Sequence, residues 1–209
     1  GTPDYFDRGD TVVVVSASDG TATTLDTMGI HVFDRFGDAT WNGDVSALDA
    51  GLILQQTVRR IDTLTVTRVD VSGNLSVTAF DAALVLVKVV DPGFVFPVLG
   101  GVLPKRAARD GWTITMERSA SGWVGVVNDP AGLHSGEFVI ELPNGVAASV
   151  EGDNVASMQT GRTLRIAFAR GESGDRTLFS IRTPAVTEAP TIVSALLNDG
   201  EATIGASAP

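Results

Sequence analysis

The sequence predicts an α+β chain of several modules, in which a duplicated loop–helix unit precedes an antiparallel β-sandwich. Two observations carry this prediction. Residues 38–58 and 70–90 repeat each other at an offset of 32 residues. The C-terminal region consists of short apolar segments separated by Gly, Pro, Asn and Asp, which is typical of a sandwich. The expected division is an N-terminal strand segment at 1–37, the loop–helix module at 38–98 and the sandwich at 99–209.

The composition is that of a globular chain and excludes several classes of function. Of the 209 residues, 44% are hydrophobic and 19% are charged, which is enough apolar surface to form a core. A net charge of −10 disfavours nucleic acid as a partner, because phosphate binding needs a basic surface. No apolar run approaches the roughly 18 residues of a membrane span. Cysteine is absent, so disulfides and thiol chemistry are excluded.

The internal repeat is the strongest signal in the chain. Nine of its 21 aligned positions are identical. Each copy begins with a 12-residue loop that offers oxygen-bearing side chains at positions 1, 3, 5, 7, 9 and 12, and an apolar helix follows. At positions 1, 3, 5, 7 and 12 the first loop has Asp38, Thr40, Asn42, Asp44 and Asp49. At the same positions the second loop has Asp70, Ser72, Asn74, Ser76 and Asp81.

These donor sets fit a hard cation such as Ca²⁺, which takes about six to eight oxygen ligands and can be wrapped by a loop of this length. The sequence therefore predicts two calcium sites, in which Asp44 and Ser76 contribute their backbone carbonyls. Gly43 fits the sharp turn at position 6, whereas Leu75 stands there in the second loop. The first loop has three carboxylates and the second has two, so we expect tighter binding at the first. The alternative is a pair of Asx-rich turns that cap helices.

The stretches 46–55 and 78–86, each with Asp at loop position 12, resemble a dockerin domain over about residues 38–98. Segment 94–98 resembles the tail of dockerins in bacterial surface proteins. The resemblance implies calcium-dependent folding and binding to a cohesin β-sandwich. In that family loop positions 10 and 11 contact the partner, and here they hold two apolar pairs. These candidate partner-binding pairs, which equally fit packing inside the module, are Ala47 with Leu48 and Ala79 with Phe80.

The C-terminal region resembles a cohesin domain, more loosely. Segments 135–142, 163–169 and 178–181 alternate as strands do. The region is shorter than is usual for a cohesin, so a strand is expected from elsewhere. The linker at 91–105 decides whether this sandwich and the loop–helix module meet within one chain.

A run of four valines near the N-terminus is the candidate for the additional strand. We interpret the run as a strand that is buried on both faces. It either completes the chain's own sandwich, the favoured alternative, or enters a neighbouring subunit by strand addition, which would form rings or open fibres. These candidate partner-binding residues are Val12, Val13, Val14 and Val15.

Patterns for catalysis are weak. The chain has two histidines, His31 and His134, and no GxSxG motif before a helix. We therefore expect a non-catalytic protein, secreted or attached to the cell surface, that assembles with itself or with another cohesin-like domain. Two other functions stay open. One is an anchoring fragment of a larger secreted enzyme, and the other is a carbohydrate-binding module that stacks sugars on Trp41, Trp112 or Trp123.

Overall fold

A computed structural model of the chain divides it into two compact units, Gly1–Arg35 and Phe36–Pro209. The residues that the structure describes are 9–32, 36–102, 111–170, 174–183 and 188–205. Part of the expected linker, 103–105, therefore lies outside them. Among the described residues, no helix combines the length and the apolar character needed to cross a membrane.

The first unit contains a β-hairpin in which β1 (Gly9–Ser18) pairs antiparallel with β2 (Thr23–Val32). Its turn is closed by Asp19, whose Oδ1 accepts hydrogen bonds from the backbone N–H groups of Thr21 and Ala22 at 2.9 and 2.8 Å. An Asp side chain that bonds backbone two or three residues ahead stabilises such turns. The two strands of this hairpin form a separate two-stranded sheet.

The expectation that the valine strand is buried on both faces is wrong. Val12, Val13, Val14 and Val15 are 63%, 38%, 57% and 58% exposed. Their strand pairs with β2, and neither sheet of the sandwich includes it. The physical reason is that an apolar run shows which faces can be buried and does not show what covers them.

The second unit begins with three helices: α1 (Ala47–Thr57), α2 (Val66–Val69) and α3 (Ala79–Val90). Helices α1 and α3 start at position 10 of the two loops, and each starts with a capping box. They pack on each other through one apolar core that contains Ile53, Leu54, Leu84 and Val85.

The segment that follows α3 packs against residues near the start of the helical region. Phe96 is buried, and its ring lies 3.0 Å from the point where a Cβ on Gly37 would stand. The Val98 N–H donates to the carbonyl of Val71 at 3.1 Å. Gly37 has φ +84°, a left-handed conformation that favours glycine. A side chain at this position would also clash with the Phe96 ring.

The predicted β-sandwich is confirmed, and among the described residues all of its strands come from the C-terminal region. One sheet has the order β11-β10-β5-β8-β7 and the other β12-β3-β4-β9-β6. All pairs are antiparallel except β12 with β3. The strands are β3 (Thr113–Ser119), β4 (Gly122–Val127), β5 (Ser135–Glu141), β6 (Ser149–Glu151), β7 (Val155–Thr160), β8 (Thr163–Ala169), β9 (Thr177–Arg182), β10 (Thr191–Leu197), β11 (Gly200–Glu201) and β12 (Thr203–Ile204).

The C-terminal half of strand β8 is buried on both faces and joins the helices to the sandwich. Leu164, Ile166 and Phe168 belong to the core between the two sheets. Ala167 and Ala169, on the opposite face, belong to the core of α1 and α3. Because alanine side chains are short, the helices can approach the sheet closely, and the loop–helix region and the sandwich share one compact unit.

The two loops provide a matched pair of residues at position 11 for testing this packing. Phe80 is 3% exposed and Leu48 is 63% exposed. We expect Phe80→Ala to lower the free energy of unfolding by about 3–5 kcal/mol, because it leaves a cavity in the shared core. Leu48→Ala should change it by about 0.5 kcal/mol or less. Urea unfolding followed by circular dichroism measures both, and equal effects would contradict the described packing.

Candidate metal centre

In the first loop, one carboxylate closes the loop and starts the helix. Asp49 Oδ1 accepts a hydrogen bond from the Thr40 N–H at 2.9 Å, and its Oδ2 accepts from the N–H and the hydroxyl of Ser46, both at 2.8 Å. The Thr40 hydroxyl donates to Asp38 Oδ1 at 3.1 Å. Thr40 thus contacts both carboxylates, and the loop brings positions 1, 3 and 12 together.

The second loop repeats these contacts residue for residue. Asp81 Oδ1 accepts from the Ser72 N–H at 2.9 Å, and Oδ2 accepts from the Thr78 N–H at 2.8 Å and the Thr78 hydroxyl at 3.1 Å. The Ser72 hydroxyl donates to Asp70 Oδ1 at 3.1 Å. In each loop the Asn at position 5 also accepts a hydrogen bond from the N–H of position 7 at 2.8 Å: Asn42 Oδ1 accepts from Asp44, and Asn74 Oδ1 accepts from Ser76.

The four carboxylates at positions 1 and 12 are buried, with no more than 5% of any residue exposed. Burial raises the pKa of Asp81 to about 6. Burial also acts to raise the pKa of Asp38, but hydrogen bonds from Gly43, Thr40 and Asn42 together bring it below its ordinary value.

An ionised carboxylate offers about four lone-pair sites. Asp49 accepts three hydrogen bonds within its loop and keeps one site for a cation. Asp70 accepts four, from the Ser72 hydroxyl and three backbone N–H groups, so a cation there would replace one of these donors.

Within the described part of the chain, no group of three or more Asp, Glu, His or Cys side chains gathers as a metal site. The loops place two buried carboxylates together, and Asp44, the third in the first loop, is exposed. The remaining predicted donors are hydroxyl, amide and carbonyl oxygens. Such a set suits a hard cation that accepts neutral oxygen ligands, and it does not suit a transition metal that prefers His or Cys.

The backbones of the two loops match at the positions where their sequences differ most. Position 4 has φ +65° at Trp41 and +79° at Gly73, and position 6 has φ +90° at Gly43 and +66° at Leu75. Leu75 therefore adopts the left-handed conformation that favours glycine, with its side chain exposed to solvent. Its replacement of glycine leaves the shape of the second loop intact.

One charged neighbour of the first loop was not found by sequence reasoning. Arg68 Nη2 lies 3.8 Å from Asp38 Oδ2, and its guanidinium stacks 3.2 Å from the centre of the Trp41 ring. The repeat gives no signal for this arrangement, because Gly73 stands where Trp41 does in the second loop. Arg68 brings a positive charge to the site where the first ion is predicted.

The candidate partner-binding pairs differ in their surroundings. Ala47 and Leu48 are exposed. Ala79 and Phe80 are buried, and the Ala79 N–H donates to Glu137 Oε1 on β5 at 2.8 Å. Burial raises the pKa of Glu137, and the charges of Asp199 and Asp81 act in the same direction. Sequence reasoning missed Glu137, since its partner lies 58 residues earlier in the chain.

The three tryptophans considered for carbohydrate binding differ in their exposure to solvent. Trp123 is buried in the core between the sheets, and Trp112 is half-buried and packs against that core. Trp41 is exposed and is covered on one ring face by Arg68. Trp123 is therefore not available for stacking on a sugar.

No family model matches the chain, and no curated protein matches it. Among solved structures, a non-cellulosomal cohesin from the hyperthermophilic archaeon Archaeoglobus fulgidus is similar to it with a TM-score of 0.34 and 13% sequence identity. The alignment covers 46% of this chain and 85% of that one.

The left-handed position 6 allows a reciprocal test of loop strain. Leu75→Gly should raise the free energy of unfolding by about 1 kcal/mol, because glycine adopts this conformation without steric cost. Gly43→Leu should lower it by a similar amount, since a Cβ on Gly43 would meet nothing within 4 Å and only the backbone would be strained. Thermal unfolding in EDTA measures both. A destabilised Leu75→Gly variant would show that the Leu75 side chain stabilises the fold through contacts.

Proposed function

We propose that this chain is a non-catalytic calcium-binding protein that acts in assembly outside the cell. Each loop would bind one Ca²⁺. The observation that carries the proposal is the duplicated arrangement of two buried carboxylates bridged by one hydroxyl residue, Thr40 or Ser72. The proposed ligands are Asp38, Thr40, Asn42, the Asp44 carbonyl and Asp49 in the first loop, and Asp70, Ser72, Asn74, the Ser76 carbonyl and Asp81 in the second.

Calcium would change the electrostatics of both loops in the same way. Two carboxylates buried beside each other repel, and each loses hydration. A divalent cation between them would turn this repulsion into attraction. Binding free energy would then become folding free energy, which suits a helix pair that starts from two loops of irregular backbone. Weak extracellular calcium sites work at the ion concentrations found outside cells.

The exposed hairpin supports a role in assembly. An isolated two-stranded hairpin is marginally stable in water. Here both of its faces carry exposed apolar side chains: Val12 and Val14 lie on one face and Val13 and Val15 on the other. We propose that this hairpin adds to another copy of the chain, and that the exposed pair Ala47 and Leu48 is a second contact for a cohesin-like partner.

Calcium binding is tested by thermal unfolding in calcium and in EDTA. One site saturated at 100 times its Kd adds about 2.7 kcal/mol to the free energy of unfolding. Asp49→Asn and Asp81→Asn should each remove part of the calcium-dependent rise in Tm, because each variant keeps only one of the two sites. Asp62→Asn, which removes the same charge from an exposed position, should keep all of it. A wild-type Tm that is the same in calcium and in EDTA would refute the proposed calcium sites.

Assembly is tested by negative-stain electron microscopy and light scattering of the purified chain. We expect regular high-mass species in calcium, and their loss in a Val12→Lys, Val14→Lys variant, because charge cannot be buried in an apolar contact. Thr21→Lys adds a charge to the turn of the same hairpin and should assemble normally. Small particles in every sample would overturn self-assembly and favour an anchoring module that binds a separate cohesin-like protein.

A further inference from the structure

The second loop is hydrogen-bonded to the sandwich at two points. Asn74 Nδ2 donates to Asp199 Oδ2 at 2.9 Å, and the Ala79 N–H at the start of α3 donates to Glu137 Oε1 at 2.8 Å. Both donors belong to the second loop and its helix, and both acceptors are carboxylates of the sandwich. The loop and the sandwich therefore meet through charged groups as well as through the apolar core.

The position of Asp199 is set by the sandwich. Asp199 and Asn198 form the two-residue turn between β10 and β11, and their φ values of +61° and +46° are those of a hairpin turn of the primed type. Asn198 is buried, and its Oδ1 accepts the N–H groups of His134 and Ser135, both at 2.9 Å. Its Nδ2 donates to the carbonyl of Gly132 at 2.7 Å. This anchored turn holds the Asp199 carboxylate in place for Asn74.

The position of Glu137 is also set by the sandwich. It lies within β5, opposite Leu196 of β10 on one side and Ala167 of β8 on the other. Because β5 is an inner strand, the backbone of Glu137 is fixed by both neighbours. The charges of Asp199 and Asp81 both act on Glu137, so Glu137 lies close enough to each of these carboxylates to be repelled by it.

The first loop has different surroundings. Its residue equivalent to Ala79 is Ala47, which is exposed to solvent, whereas Ala79 is buried; Asn42, equivalent to Asn74, is exposed as Asn74 is. The charged neighbour of its Asp38 is Arg68, a cation. Two loops with the same backbone thus have opposite charge environments, since the sandwich adds two negative charges to the second loop and Arg68 adds a positive charge to the first.

We propose that calcium binding in the second loop is coupled to the docking of α1 and α3 on the sandwich, with Asp199 and Glu137 as the coupling residues. This inference rests on the proposed calcium sites. Asp199 holds the amide of the ligand Asn74, Glu137 holds the first turn of α3, and both carboxylates add negative charge beside the ion. Calcium in the second loop therefore binds more tightly than in the first, although the second loop has fewer carboxylates of its own.

The coupling works in both directions. If the docked sandwich raises the calcium affinity of the second loop, then calcium stabilises docking by the same factor. Without the ion, the carboxylates of Asp70, Asp81, Glu137 and Asp199 oppose docking by mutual repulsion. With the ion, the same groups favour it. Calcium removal would then loosen the helices from the β5 and β8 face of the sheet.

Calorimetric titration with CaCl₂ tests the coupling in two matched backgrounds. Asp49→Asn leaves the second loop intact, and Asp81→Asn leaves the first intact. Adding Glu137→Gln with Asp199→Asn keeps a carbonyl acceptor for each donor and removes only the charges. We expect calcium affinity to fall about fivefold or more in the first background and less than twofold in the second. Unchanged affinity in the first background, or equal losses in both, would overturn the coupling while leaving calcium binding established.

Hydrogen exchange supplies a readout that does not depend on the titration. In the wild-type chain, calcium should slow exchange of the Ala79 amide, because the ion stabilises its hydrogen bond to Glu137. In the Glu137→Gln, Asp199→Asn variant, this slowing by calcium should be smaller by the same factor as the affinity. Exchange that responds equally to calcium in both proteins would contradict the coupling. A wild-type chain that binds no calcium in the titration refutes the proposed sites and the coupling with them.

Discussion

The helical part of the structure depends on one carboxylate in each loop. Asp49 and Asp81 each accept hydrogen bonds from position 3 of their loop with one oxygen and from position 9 with the other. A single buried side chain therefore fixes the path of the loop and the start of the helix together. Since both helices begin from this contact, their apolar faces are presented to the same sheet.

That sheet accepts the helices because of a row of small residues. Ala156, Ala167 and Ala169 lie on the face of β7 and β8 that is opposite the sandwich core. Larger side chains there would hold the helices away from the sheet, and polar ones would lose hydration beneath them. The sandwich thus has one face for its own core and another for the loop–helix region, and the two cores share strand β8.

The loops show how the same backbone can serve two electrostatic environments. Their backbones match at the left-handed positions 4 and 6, where Trp41 replaces glycine in the first loop and Leu75 replaces it in the second. Their neighbours differ, with Arg68 beside the first loop and Glu137 and Asp199 beside the second. Affinity for a cation follows the whole local charge, so a duplicated loop does not imply two equal sites.

The sequence by itself determined the features that depend on neighbouring residues. The 32-residue repeat located both loops and the starts of α1 and α3, because capping and loop closure act over a dozen positions or fewer. Alternation located three strands of the sandwich, β5, β8 and β9, since side chains on a strand point to opposite faces. The tertiary structure decided what covers each surface. It placed Phe80 inside and Leu48 outside, left the valines of β1 exposed, and brought Arg68, Glu137 and Asp199 to the loops. These contacts join residues that are distant in sequence, and no local pattern of residue types specifies such a pair.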